Sequence, residues 1–241
     1  MPDYSRDPLP SRIEQRIDTH LAVSRRIREK AAPAGPVPFI TISRQYGCEA
    51  MELAEHLARE LAVVERLSEG SWQVYSRRIV EDISTELQLS KRLVEALDAR
   101  VRSDLEEFFE TLMGHAPPDI EVLRHLVHTV RALALHGRCI LVGRGAAMLS
   151  AGLAGGIHVR LIAPEPWRLT RLVSRFGWDE SKARSFVRGE EDNRRNFFQK
   201  YLGQDVNNPE HYDLIINAAR MNREEQVESV IALFRKRFIH A

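Results

Sequence analysis

The stretch Phe39-Ile40-Thr41-Ile42-Ser43-Arg44-Gln45-Tyr46-Gly47-Cys48-Glu49-Ala50 decides the fold. A short apolar, β-rich run stops at a polar turn, and an amphipathic helix running from Met51 to Leu61 follows at once. Strand, tight turn and helix start together make an anion site. The first helical N–H groups have no intrahelical partner, and the helix dipole favours negative charge. This is the layout of a phosphate-binding loop. The working loop reads G-x-x-x-x-G-K-[ST], with the Lys on the phosphates and the hydroxyl on Mg²⁺. Here Ala50 stands where the Lys would be and Glu52 where the hydroxyl would be. Ser43, Arg44, Gln45, Gly47 and Cys48 are the turn's candidates for holding phosphate.

Outward from that stretch, strands alternate with helices. Strands are expected over residues 38–43, 73–75, 139–142, 157–162 and 213–216. Helices are expected over 50–64, 77–86, 90–97 (with Ser90 as its N-cap), 102–113, 117–136, 164–175, 180–201 and 223–238. This order predicts an α/β fold: a three-layer parallel sheet with helices on both faces and ligands at the strand C-termini.

Before the first strand, Ile13, Ile17, Leu21, Val23 and Ile27 recur at close to helical spacing over residues 11–30. The run Ala31-Ala32-Pro33-Ala34-Gly35-Pro36-Val37-Pro38 then breaks regular structure. Residues 1–37 therefore read as an N-terminal helix and a Pro/Ala/Gly linker, and 38–241 as the main domain. The helix is expected to pack on this domain or on a partner chain, or to stay mobile, with packing on protein favoured.

Composition narrows the function. Of 241 residues, 44% are hydrophobic and 29% charged, with a net charge of +1. That describes an ordinary globular protein and gives no general case for nucleic-acid binding. The two cysteines, Cys48 and Cys139, form no CxxC, so neither a disulfide framework nor a zinc site is expected. Cys48 reads as a small filler at a helix start. No apolar run reaches the ~18 residues of a membrane span, and the N-terminus lacks the apolar core of a signal peptide. The expectation is a cytoplasmic protein without membrane contact. The histidines show no metal-ligand spacing, and His125 and His128 lack an acidic or cysteine companion in register, so no protein-built metal site is expected.

Four separated motifs in order carry a resemblance. Ile-Thr-Ile-Ser-Arg-Gln-Tyr-Gly (40–47), Val-Gly-Arg-Gly-Ala (142–146), His-Val-Arg-Leu-Ile-Ala-Pro (158–164) and Tyr-Asp-Leu-Ile-Ile-Asn (212–217) resemble the cytidylate kinase-like family of P-loop proteins. The resemblance spans about residues 38–236. It implies a nucleoside monophosphate kinase-like fold with a helical insert, about 77–136, over the acceptor nucleotide and a lid at about 179–204.

The resemblance also distributes roles. Gly143-Arg144-Gly145 is similar to the G-R-D of cytidylate kinases, which makes Arg144 a grip on the acceptor's phosphate, while Gly145 removes a base-reading carboxylate. Residues 188–195 are similar to the lid pattern R-D-x-x-D-x-x-R, with Arg188, Asp192 and Arg195 in matching positions and Gly189 replacing the first Asp. At i, i+4 and i+7 these three share one helix face, so they are the catalytic candidates over the transferring phosphoryl group. Lys200 follows as a further phosphate contact. Tyr75-Ser76-Arg77 stands where the family shows Y-D-[RK], leaving Arg77 as a phosphate contact.

The family's loop usually reads S-R-Q-x-G-S-G-G, already without the lysine, and here it becomes Gly47-Cys48-Glu49-Ala50. Arg44 could supply the missing positive charge. Glu49 could either repel a donor phosphate or point away from it. At ~4 Å the repulsion between two unit charges amounts to about 4 kcal/mol at an effective dielectric of 20.

The implied activity is phosphoryl transfer from ATP, with Mg²⁺, to a nucleoside monophosphate of cytidylate type. The alternative is a catalytically inactive nucleotide- or anion-binding protein with a regulatory or oligomeric role. A third reading is a small-molecule kinase with another acceptor. A homo-oligomer through the N-terminal helix or the helical insert is the partner expected besides the nucleotide.

Overall fold

Strand β1 (Phe39–Arg44) sits in the middle of a five-stranded sheet, and its alternating side chains seed two separate cores. In the computed structural model, which describes residues 9–30, 35–112, 120–143 and 145–239, the strand order is β2-β3-β1-β4-β5 and every pairing is parallel. The other strands are β2 (Gln73–Ser76), β3 (Cys139–Val142), β4 (Gly156–Ile162) and β5 (Leu214–Asn217).

One sheet face presents Ile40, Ile42, Ile140, Val142, Ile157, Val159 and Leu161 to helices α2 (Ala50–Val64) and α10 (Arg223–Phe238). The opposite face presents Phe39, Tyr75, Cys139 and Leu141 to a stack of α3 (Arg77–Thr85), α4 (Leu87–Glu95), α5 (Ala99–Leu112) and α6 (Ile120–His136). With helices on both faces, the central strands need no polar side, which is why they read as near-continuous apolar runs.

The N-terminal helix α1 (Leu9–Lys30) joins the second core. Ile13 and Ile17 are buried in it beside Phe39 and Tyr75. His20, with no exposed surface, bridges Tyr75 Oη at 2.9 Å and the Gly137 carbonyl at 2.6 Å. Ser24 Oγ donates to the His136 carbonyl at 3.1 Å.

Three differences from the sequence reading have physical causes. Helix α4 begins at Leu87, not Ser90, because Ser90 Oγ is satisfied across the core by Thr129 Oγ1 at 3.2 Å and does not cap. A short helix, α7 (Ala146–Leu149), follows Gly145, whose φ of 68° starts the turn. The 3₁₀ turn Pro209–His211, capped by Asn208, precedes β5. The linker residues 31–34, the expected helix start at 117–119, Met113 and Arg144 lie outside the described residues. Among the described residues no helix is long and apolar enough to cross a membrane.

Between β4 and β5 come α8 (Glu165–Phe176) and the long α9 (Glu180–Leu202), which run over the C-terminal ends of the strands. Their small core of Leu169, Leu172, Ala183 and Val187 fixes which side of α9 faces inward.

Candidate active site

The turn after β1 is clamped before any ligand arrives. Gln45 N donates to the Leu161 carbonyl at 2.9 Å, and Gln45 Oε1 accepts from Ala163 N at 2.9 Å, so the turn is stitched to the end of β4. Gly47 has φ 95°, and a Cβ there would meet Arg168 Cβ at 3.0 Å. Helix α8 thus lies directly on the loop. Arg168, 5% exposed, ties three parts together: Nε donates to the Ala163 carbonyl (3.1 Å), and Nη1 to the Tyr46 carbonyl (3.1 Å) and to Glu191 Oε1 of α9 (2.6 Å). Cys48 is buried, and burial pushes its thiol up to about 11, so it is a filler and not a reactive thiolate.

Glu49 takes the left-handed conformation (φ 51°) at the N-cap of α2. Its carboxylate points to arginines of α8 and α10. Arg171 Nη1 stands 2.9 Å from both oxygens and Arg223 Nη2 3.6 Å from one. Glu52 is held the same way by Arg175 at 3.1 Å and Arg223 at 3.5 Å. The negative charges that threatened donor binding are therefore neutralised by the protein's own cations. Arg171 and Arg175, with Glu49, border a cavity of about 220 Å³ beside the loop.

A larger cavity of about 490 Å³ opens on the other side of β1, between the start of α3, the β3–α7 turn and α9. Arg44 belongs to this side. At Gly143 (φ 87°) an added Cβ would fall 2.1 Å from Arg44 Nη1, so the guanidinium lies across that glycine. Arg77 lines the same cavity and reaches Glu190 of α9 at 3.1 Å, bridging its mouth. Arg194 lines it too and donates to the Arg44 carbonyl. Burial first, then the charges of Arg44 and Arg160, push Arg194 down to about 10. Even so it is cationic at neutral pH.

The lid expectation meets a shifted helix face. Arg188, Asp192 and Arg195 are exposed on the outer side of α9, with Arg195 and Asp192 paired at 3.5 Å. The α9 residues lining the cavity are Glu190, Asn193, Arg194, Phe197 and Phe198. Val187 and Phe198 are buried and set this phase, and the apolar positions in the sequence were the signal that could have found it. Lys200 is exposed, with Nζ 3.0 Å from Tyr201 Oη. Ser43 Oγ is in the cavity wall, bonded to Arg160 at 3.0 Å. Arg144 lies outside the described residues, although Gly143 and Gly145 on either side of it both line the cavity. The sequence reading missed Arg160, Glu190, Glu191 and Arg194. It also missed that His128 has an acidic neighbour, Glu106, at 3.7 Å. Among the described residues no group of three or more His, Cys, Asp or Glu comes together as a metal site.

With this geometry, the comparisons with known proteins are consistent. Residues 39–220 match the model described as the cytidylate kinase-like family. The chain is 25% identical to a cytidylate kinase of Methanopyrus kandleri over 158 residues, 62% of this chain and 80% of that protein. It is 31% identical to a cytidylate kinase of Haloquadratum walsbyi over 126 residues, 51% of this chain and 66% of the relative. A stretch of 99 residues, 41% of this chain, is 25% identical to a uronate isomerase of Corynebacterium glutamicum but spans only 19% of that protein. Among solved structures, an uncharacterized protein from Eubacterium ventriosum superposes with a TM-score of 0.64 at 16% identity, covering 83% of this chain and 99% of that one. At that identity the likeness speaks for the fold.

Proposed function

The chain belongs to the cytidylate kinase-like family and folds as a parallel five-stranded sheet covered by helices on both faces, and from that premise we propose that it transfers the γ-phosphoryl group of ATP to a nucleoside monophosphate of cytidylate type. The observation that carries the reading is the cavity where Arg44 of β1, Arg77 of α3 and Arg194 of α9 meet. Guanidinium groups from separate elements meeting in one pocket suit the oxygens of a phosphate, which they can grip in bidentate fashion.

In this reading the acceptor's phosphate lies among Arg44, Arg77 and Arg194. The donor's phosphates approach the turn 43–50 from the side of Arg171 and Arg223, and displace Glu49 from them. Catalysis is then positioning plus stabilisation of charge on the transferring group, with no covalent step for the protein. Arg194, which lines the cavity and donates to the Arg44 carbonyl, is our candidate to touch the phosphoryl group in flight. For Arg188 and Arg195 to join it, α9 would have to turn about its axis. Among the described residues no group of three or more His, Cys, Asp or Glu forms a cage for Mg²⁺. Glu52, at the position of the usual hydroxyl, is held by Arg175 and Arg223, so no step is assigned to the metal.

One observation favours the second reading, a binding protein without turnover. Ala50 replaces the loop's Lys, and the carboxylates of Glu49 and Glu52 sit where anionic phosphates would meet α8 and α10. Calorimetric titration with ATP and a panel of nucleoside monophosphates tests the proposal. Binding of one monophosphate that depends on Arg194 supports it, and failure of every monophosphate to bind ends it.

A further inference from the structure

The 490 Å³ cavity has two chemically different walls, and α9 contributes to both. Arg194 stands in the cationic wall with Arg44 and Arg77. One turn further along, Phe197 and Phe198 join Ala146, Ala147 and Met148 of α7 in a wall without a charged or strongly hydrogen-bonding side chain. The two rings stand edge to face, with centroids 5.9 Å apart. Gly145 begins this wall. A Cβ there would meet Phe198 Cε1 at 3.0 Å and Leu202 Cδ1 at 3.6 Å, so α9 lies against bare backbone and leaves no room for a polar side chain at this position.

Polar side chains elsewhere in the lining are engaged with the protein itself. Thr41 Oγ1 bonds His158 Nδ1 at 2.8 Å, Tyr212 Oη donates to the Val206 carbonyl at 2.8 Å, and Ser43 Oγ accepts from Arg160. Glu190, the one carboxylate among the described lining residues, is held by Arg77 at 3.1 Å. Asn193 is their one side-chain amide, and it neighbours Arg194 on the cationic side. Cytosine and uracil share an outline and differ in donor and acceptor pattern at N3 and C4. A site built from hydrogen-bond partners rejects the mismatched analogue by about 10⁴-fold, whereas an apolar wall responds to shape.

We propose that Phe197 and Phe198 hold the acceptor's base by stacking and burial, so that the cavity takes cytidine and uridine monophosphates alike. The inference rests on the acceptor reading of the cavity, and on no phosphoryl-transfer step. It adds what selects the base end: a flat ring is required there, and its hydrogen-bonding edge is not read. Aromatic faces suit this task because every base has a π-face to stack on them.

The test is calorimetry of the full chain with cytidine monophosphate, uridine monophosphate and ribose 5-phosphate, for the wild type, F197A and N193A. In the wild type the two nucleotides are expected to bind within about 10-fold of each other, the range of an apolar pocket. Ribose 5-phosphate, which keeps the phosphate and lacks the base, should bind at least about 10-fold more weakly than either, the scale of stacking one base. Failure of either ranking overturns the proposal. F197A should weaken both nucleotides by about 10-fold and leave ribose 5-phosphate nearly unchanged. If N193A weakens both nucleotides and F197A does not, the base is read by hydrogen bonds and the proposal fails. If F197A does not fold, the wild-type rankings decide alone. Nucleotide binding that needs Arg194 but separates cytidine from uridine monophosphate by more than about 10-fold would sink this inference and leave the acceptor reading intact. Binding of neither nucleotide would end both.

Discussion

Arg171 and Glu49 face each other across the turn between β1 and α2, with Nη1 of the arginine 2.9 Å from both carboxylate oxygens. The pair turns the chain's most unfavourable-looking substitution into a self-contained contact: a carboxylate on arginines that a polyphosphate would otherwise engage. It also places a non-glycine residue at φ 51°, a conformation that costs an L-residue roughly 1–2 kcal/mol.

Replacing Glu49 with Gly should relieve that strain and release Arg171, while Arg223 keeps Glu52 at 3.5 Å. The lost ion pair is half exposed on the Arg171 side and contributes about 0–1 kcal/mol, so stability should stay level or rise slightly. ATP affinity should rise about 10-fold, the scale of one charge-assisted contact. Calorimetry with ATP checks this, and unchanged affinity would show that the donor does not use these arginines.

Arg194 and Arg195 are sequence neighbours on opposite sides of α9, one in the cavity and the other exposed. R194A should weaken the nucleoside monophosphate by about 10–100-fold, as expected when a charged hydrogen-bond partner is removed. R195A should change it less than about 3-fold, in keeping with an exposed ion pair. The reverse ranking, read from KM or from titration, would mean that α9 presents its other face when ligand binds.

The N-terminal helix should behave as part of the fold. His20→Ala removes a fully buried ring that links Tyr75 and the Gly137 carbonyl. The cost should be about 2–3 kcal/mol, from a cavity and partners left unsatisfied. Urea unfolding measures it. A loss near zero would make α1 an accessory.

Acid stability carries a signature from His158. Burial lowers its pKa below the ordinary 6.5, with Arg237 adding to the effect and Asp213 opposing it. The unfolded chain therefore binds the proton more readily than the folded one. Stability should increase as pH rises towards 6.5 and then level off, and it should be lost below that value until the folded-state pKa is passed. In His158→Gln, which can keep a hydrogen bond to Thr41, the slope over this window should shrink. An identical slope in the variant, by melting temperature against pH, would exclude His158 as a source.

The sheet was legible because each strand is a short apolar run bounded by turn residues, and because two buried faces leave no alternation to confuse the reading. Ser90 misled because a serine before an apolar run looks like a cap, whereas its hydroxyl is used across the core by Thr129. In α9 the motif match pointed to Arg188, Asp192 and Arg195, yet the helix is rotated so that residues in phase with buried Val187 and Phe198 face inward. Apolar phase outweighs the spacing of charges because burying aromatic and aliphatic surface stabilises far more than exposed ion pairs do. Arg160 passed as one residue of an apolar strand. Only the fold brings Ser43, Asn207 and Tyr212 to its buried guanidinium. Glu49 could not be oriented from sequence at all, since its arginine partners lie 122 residues and more downstream.

The most direct measurement is release of ADP from ATP and Mg²⁺ by the purified chain, with each nucleoside monophosphate in turn, for the wild type and R194A. ADP release is expected to depend on a nucleoside monophosphate and to fall about 100-fold in R194A, the effect of losing one strong contact to the transferring group. ADP release no faster with any acceptor than with ATP alone would contradict it, and would leave the cavity as a binding site only.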